Sequence, residues 1–143
     1  MTDTSSGTWL HPQSEGIPIL RATAVTKPFW DGCAEGELRY QRCTACRTPI
    51  FNPALVCRVC TSRDLRWEVS AGRGTVYSYT ICHRPMTPAF TGIYAPVIVD
   101  LDEGYQMLSD LIGCDAADVR VGLRVRARMH AIGDRTIPYF EPA

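Results

Sequence analysis

The chain has 143 residues, 45% of them hydrophobic and 21% charged, with Lys+Arg and Asp+Glu balanced at 15 each. That size fits one domain or two very small ones with a modest core, and a zero net charge excludes nucleic-acid binding through a general cationic field, leaving only a local basic patch. No run approaches the roughly 18 consecutive apolar residues of a membrane-spanning helix.

The first sixteen residues, MTDTSSGTWLHPQSEG, are polar, with no basic start and no apolar centre. They do not read as a secretory signal. The expected location is therefore a reducing cytoplasm, where seven cysteines are thiols and metal ligands rather than disulfides. Residues 1–16 are expected to form a mobile arm, the alternative being that Trp9 and Leu10 anchor it.

Residues 17–36 carry the apolar positions Ile17, Ile19, Leu20, Val25, Phe29 and Trp30. Pro28 suits the first turn of a short helix running through Trp30 to Ala34, with Thr26 near its cap and Gly36 at its stop. Residues 37–70 form the next unit. Leu38 and Tyr40 alternate with polar neighbours, predicting a short strand over 37–42. The cysteine block 43–60 contains Pro49 and Pro53 and cannot be a continuous helix. Leu65, Trp67 and Val69 then alternate with Arg66 and Glu68, a strand pattern.

From residue 71 the signal is β. Gly72 and Gly74 mark a turn. Residues 75–82, TVYSYTIC, are dense in β-branched and aromatic side chains. A Pro-rich loop over 83–93 leads to strands over 94–101 and 105–112, joined by a tight Asp-Glu-Gly turn. Residues 115–118 suit one helical turn. A long strand over 121–132 places Leu123, Val125, Ala127 and Met129 on one face, and Arg124, Arg126, Arg128 and His130 on the other. A last strand covers 136–140. Such a series suits a small closed Greek-key barrel over 71–143, most economically an OB-fold, with a small sandwich as competitor. The expected fold class is mainly β: an N-terminal helix, a zinc ribbon and a C-terminal OB-fold barrel.

Two CxxC pairs, Cys43/Cys46 and Cys57/Cys60, are separated by ten residues. Each pair brings two thiolates to one ion from a tight backbone knuckle. Four sulfurs suit tetrahedral zinc, with iron the lesser alternative. Four protein ligands leave no open position for substrate, so the ion is expected to be structural. Many ribbons place Gly after the second cysteine of a knuckle; here Arg47 and Thr61 stand there. Cys33, Cys82 and Cys114 are expected to be small buried hydrophobes.

The run KPFWDGCAEGELRYQRCTAC (27–46), then CRVC (57–60), GRGTVYSYTICHRP (72–85) and the late GCDAADVRVGLRVRAR segment resemble, in family order, a bacterial and archaeal family long known as domain of unknown function thirty-five. The resemblance covers residues 25–143. It implies an N-terminal helix, a rubredoxin-like zinc ribbon and an OB-fold. It also implies an accessory subunit of thiolase-like enzymes: thiolases, acyltransferases, or lipid-transfer-protein-like aldolases that shorten steroid side chains. Some relatives are instead fused to or bound by a hydratase-type acyl-CoA enzyme. The implied partner supplies the nucleophile and base, acts on acyl-CoA in carbon–carbon bond cleavage or formation, and forms with this chain a complex of two copies each.

The residues themselves offer no independent active site. His11 lies in the arm, His130 on an Arg-rich face, and His83 directly follows Cys82, so those two side chains should point to opposite faces. No GxSxG elbow or phosphate-binding Gly-rich loop is present. If an acyl-CoA path exists, its candidate contacts are Arg73, His83, Arg84 and Tyr94, the arginines meeting phosphate; the competing reading is an ordinary polar loop. The stripe Arg124, Arg126, Arg128 and His130 is either a surface for acidic groups or a solvated face that blunts a sheet edge. A different class of function, single-stranded nucleic-acid binding, would use Tyr77 and Tyr79 as stacking platforms.

Overall fold

The computed structural model describes residues 7–14, 16–18, 20–90 and 92–143. Helix α1 spans Lys27–Ala34. Pro28 occupies its first turn, where the missing N–H costs nothing. Thr26 stands at the cap by position, yet its hydroxyl accepts from the Thr23 amide at 2.8 Å and does not cap the helix. Gly36, at φ 83°, turns the chain away after the last helical turn.

Strands β1 (Arg39–Cys43), β2 (Pro49–Ile50) and β3 (Leu65–Val69) form a small antiparallel sheet in the order β2-β1-β3. Arg39 fastens α1 to this sheet. Its guanidinium donates to Glu35 at 2.7 Å and to Glu37 at 2.8 Å. It passes over Gly32, where a Cβ would lie 2.6 Å from the Arg39 stem.

The other strands are β4 (Arg73–Tyr79), β5 (Ala95–Leu101), β6 (Gln106–Leu111), β7 (Arg124–Ile132) and β8 (Arg135–Pro142). They close into a barrel in the order β4-β5-β6-β8-β7. β7 returns to pair with β4, and β6 and β8 meet in parallel at Leu111 and Phe140. This is the connectivity of an OB-fold, and the sandwich alternative falls. Gly74 lets β4 and β5 approach: a Cβ there would sit 2.4 Å from the Asp100 carbonyl oxygen. A bulge between Val76 and Ser78 bends β4. The helical turn is a 3-10 helix over Ala116–Asp118, capped by the Asp115 carboxylate on the Ala117 amide at 2.9 Å.

One hydrophobic core spans helix, ribbon and barrel. Phe29, Leu38 and Tyr40 join Val76, Val97, Val99, Leu101, Met107 and Phe140, all buried. The seam is aromatic: Phe29 meets Phe51 edge-on at 5.4 Å, and Tyr105 stacks on Phe51 at 5.7 Å and on Tyr40 at 4.8 Å. Glu103, in the β5–β6 turn, ties the ribbon's exit to the barrel by accepting from Ser70 Oγ at 2.8 Å and the Ala71 amide at 2.6 Å.

The expectation of a mobile arm does not survive for residues 7–14; residues 1–6 and 15, like Ile19, lie outside the described residues. Leu10 is 1% exposed and belongs to the core. Its amide donates to Cys114 O at 2.9 Å, its carbonyl accepts from Gly113, and Thr8 Oγ1 donates to Asp115 at 2.6 Å. The alternative, an anchor at Trp9 and Leu10, holds through Leu10, while Trp9 stays 41% exposed; two adjacent apolar residues carry too little periodicity to decide between the readings.

Candidate functional site

The four ribbon cysteines converge. Their sulfurs all lie within 4.8 Å of one another, with Cys43 and Cys60 at 3.5 Å and Cys46 and Cys57 at 3.6 Å. Metal–sulfur bonds of about 2.3 Å in a regular tetrahedron place sulfurs about 3.8 Å apart. The donor set and spacing therefore fit one zinc ion. The two knuckles repeat one hydrogen-bond pattern. Arg47 N donates to Cys43 O and Thr61 N to Cys57 O, while Cys43 N donates to Thr48 O and Cys57 N to Ser62 O. Arg47 and Thr61, the positions filled by Gly elsewhere, have φ of 68° and 64°. The Thr48 hydroxyl, 3.0 Å from Cys46 Sγ, lowers the proton affinity of that thiol, while hydrogen bonding to Cys43 raises that of Cys60, so the four sulfurs share their protons unevenly. Cys43 and Cys57 are buried while Cys46 and Cys60 lie at the exposed rim.

The loop between the knuckles is held by a residue the sequence reading passed over. Gln41 is buried; its Nε2 donates to Ala54 O at 3.1 Å and its Oε1 accepts from Ala54 N at 2.8 Å. A glutamine on a short polar strand carries no distinguishing signal, because its partner is thirteen residues away across the ribbon.

Two of the three cysteines outside the ribbon, Cys33 and Cys114, are buried as expected and are unsuited to act as nucleophiles. Cys33 is fully buried and desolvation pushes its thiol up to about 12, while Cys114 is buried and also shifted up. Cys82 is half-buried.

The four candidate path residues do not form one cluster. Arg73 begins β4 opposite Arg126, whereas His83 and Arg84 follow the far end of that strand, where Cys82 pairs with Tyr94. Both loop residues are exposed, and Tyr94 is buried, stacked on Phe90 at 4.0 Å.

The arginine stripe is a solvated face whose arginines are paired with carboxylates. β7 pairs with β8 along nearly its whole length but with β4 only over Arg124–Arg126, so the β4 side is closed beside Arg124 and Arg126 and not beside Arg128 and His130. Arg124 grips Asp102 through two hydrogen bonds of 2.9 and 3.0 Å. Arg126 and Arg128 share Glu141 at 2.9 and 3.1 Å, and His130 meets the Tyr139 ring edge-on at 5.9 Å. A strand-tracking groove needs cations available to phosphate, and this face commits its arginines to carboxylates.

One apolar recess was not anticipated. A groove of about 700 Å³ opens between the docked arm, α1, the ribbon loop and the barrel. β6 and β8 form its floor, and Met86, Thr87 and Phe90 of the loop after β4 form one wall. Asp110 sits in the floor. Its carboxyl accepts from Gln13 Nε2, and burial pushes its proton affinity above the ordinary carboxylate range. Tyr139, whose hydroxyl accepts from the Gln13 amide at 3.2 Å, is likewise pushed up to about 12 by burial.

A four-cysteine ribbon sharing its core with a closed OB-fold barrel defines the class: a ribbon-and-barrel protein with a structural metal site. Residues 30–66 match the ChsH2 rubredoxin-like zinc ribbon domain and residues 67–130 the ChsH2 C-terminal OB-fold domain. The chain belongs to the ChsH2, or DUF35, family. It superposes on a chain of the Ltp2-ChsH2(DUF35) aldolase with a TM-score of 0.79 and 30% identity, covering 87% of this chain and 98% of that one. A DUF35 protein of unknown function from Sulfolobus solfataricus shares the fold, with a TM-score of 0.63 at 14% identity. Among curated proteins, the 3-oxo-4,17-pregnadiene-20-carboxyl-CoA hydratase alpha subunit of Mycobacterium tuberculosis is 37% identical over 116 residues, and a probable enoyl-CoA hydratase alpha subunit of Thermomonospora curvata 35% over 117. Each alignment covers 80% of this chain, but the chain spans little more than a third of either relative, 36% and 37% respectively. A DUF35 domain-containing scaffold protein of Methanocaldococcus jannaschii is 30% identical over 88 residues, covering 60% of this chain and 62% of that one. Among the described residues, no helix is long and apolar enough to cross a membrane.

Proposed function

We propose that this chain is the accessory subunit of a thiolase-superfamily complex that cleaves or forms carbon–carbon bonds in acyl-CoA thioesters, with steroid side chains as the substrate class. The observation that carries this reading is the near-complete superposition on the DUF35 chain of the Ltp2-ChsH2 aldolase, at 98% coverage of that chain. The site chemistry supports this reading: four cysteine ligands would leave a metal no open position for substrate, which suits a protein that shapes another's active site. The zinc would supply folding energy and nothing more. Cys43, Cys46, Cys57 and Cys60 would hold it.

The catalytic partner supplies the nucleophile and base. In this reading the complex is a cytoplasmic heterotetramer of two copies of each chain. Arg84 and His83 meet the phosphates of CoA beside the loop carrying Met86 and Phe90. Tyr94 braces that loop from beneath, and Arg73, at the other end of β4, contacts a separate part of the assembly.

Co-expression with a thiolase-like partner tests this reading. The two chains should co-purify in equal amounts, and thioester cleavage should require both. Turnover by this chain alone, or failure to co-purify with any thiolase-fold protein, overturns it.

A further inference from the structure

We propose that the groove between α1, the ribbon loop and the barrel is a binding site for the rigid fused-ring body of the acyl group, with the Asp110 carboxyl hydrogen-bonded to a ring oxygen. This rests on the accessory-subunit reading for the identity of its ligand.

The volume, about 700 Å³, falls within the roughly 300–1,000 Å³ of small-molecule sites. The lining selects which part of a thioester enters. Asp110 is the only charged group among its described lining residues. Without a cation the groove has nothing to offer the phosphates of CoA, which carry several negative charges and need Arg, Lys or a helix N-terminus. The apolar end must therefore enter, leaving the nucleotide outside.

The walls favour flat, rigid bodies. Phe29, Trp30 and Phe51 line one side, with Phe29 edge-on to both neighbours at 5.0 and 5.4 Å. Such a perpendicular set holds its shape through its own contacts and presents a fixed wall to a ligand. Pro18, Pro53 and Pro138 also line the groove. Prolines carry no N–H, so a peptide main chain laid here finds few donors and leaves its own carbonyls unpaired. That disfavours a partner strand as the occupant.

One polar feature fits a ligand with few oxygens. Gln13 Nε2 binds one Asp110 oxygen, and the other has no partner among the described residues. Burial favours the protonated form of this carboxyl, and in that form it can donate a hydrogen bond to a ketone, as a charged carboxylate cannot. Ser109 is spent on Pro138 O at 3.0 Å, whereas Asp110 keeps one oxygen open to a ligand.

Equilibrium dialysis of the full chain with radiolabelled progesterone tests this, with lauric acid as a flexible comparator. The expected result is saturable, one-to-one progesterone binding at least tenfold tighter than laurate. Leu108→Glu and Met86→Glu place a carboxylate on the groove wall at sites 68% and 82% exposed, where folding tolerates charge. Each should weaken progesterone binding at least tenfold with zinc content unchanged. No saturable binding, equal binding of laurate, or undiminished binding in both variants overturns the proposal. The two readings fail separately. A chain that binds progesterone but assembles with no partner refutes the accessory role and keeps the groove; one that assembles but binds nothing does the reverse.

Discussion

Arg47 and Thr61 hold the same left-handed backbone conformation, φ 68° and 64°, each one residue past the second cysteine of its knuckle. Each donates its amide four residues back, to the carbonyl of the first cysteine, at 2.8 and 3.0 Å. The knuckle dictates this conformation whatever side chain stands there. For an L-residue it costs about 1–2 kcal/mol, and Thr, being β-branched, is placed there rarely.

Replacing either residue with glycine should therefore stabilise the zinc-loaded protein. Gly loses more backbone entropy on folding, which offsets part of the gain, so the net expectation is about 0.5–1 kcal/mol per site. Urea unfolding of Arg47→Gly and Thr61→Gly reads this directly. Lowered midpoints would show that the knuckles carry no strain.

The purified chain should contain one zinc per molecule by elemental analysis. Chelation, or Cys57→Ala at the buried corner of the site, should abolish hydrogen-exchange protection over β1, β2 and β3. Structural zinc binding is worth about 10–16 kcal/mol in small ribbons, and that energy is folding energy. Protection that persists without metal would mean that the shared core alone holds the sheet.

Glu103 is the joint between ribbon and barrel. Truncation to alanine leaves the buried Ser70 hydroxyl and the Ala71 amide without their carboxylate. A hydrogen bond to a charged group contributes about 1.5–3 kcal/mol. Glu103→Ala should destabilise by that order in thermal unfolding, and Glu103→Gln by less, because an amide oxygen still accepts one bond. An unchanged midpoint in Glu103→Ala would remove the joint from the account.

Asp110 should leave a signature in stability against pH. Its affinity for the proton is higher in the folded protein than in the unfolded chain, because burial disfavours the charge. The folded state therefore binds the proton more tightly. Asp110 contributes stability that is fully present below the ordinary carboxylate range and is lost as pH rises through its raised value. Asp110→Asn removes this term, so its stability relative to wild type should increase from acidic toward neutral pH. A difference that stays flat across that range would place the carboxyl in solvent.

Much of the chain was legible because its signals are local. The four-cysteine spacing marks a metal site, and the alternation along residues 121–132 separates Val125 from Arg124 and Arg126 correctly. Turn residues such as Gly104 bound the strands. Where sequence reading failed, the deciding contact was distant. Leu10 meets Cys114, Gln41 meets Ala54, and Arg126 and Arg128 meet Glu141 across a barrel seam. The same stripe reads as unpaired charge until β8 brings Glu141 beside it. Asp110 looks like one more polar residue of a hairpin until the arm and the loop after β4 cover it.

Unaided, the order of residues determined the kinds of elements, the zinc ligands and the ribbon-then-barrel plan, because backbone geometry and metal coordination depend on spacing along the chain. Only the tertiary structure decided that the arm docks, that the arginines are paired and that helix, ribbon and barrel enclose an apolar groove. Those features arise where segments far apart in sequence exclude water together, and no single segment carries the record of its partners.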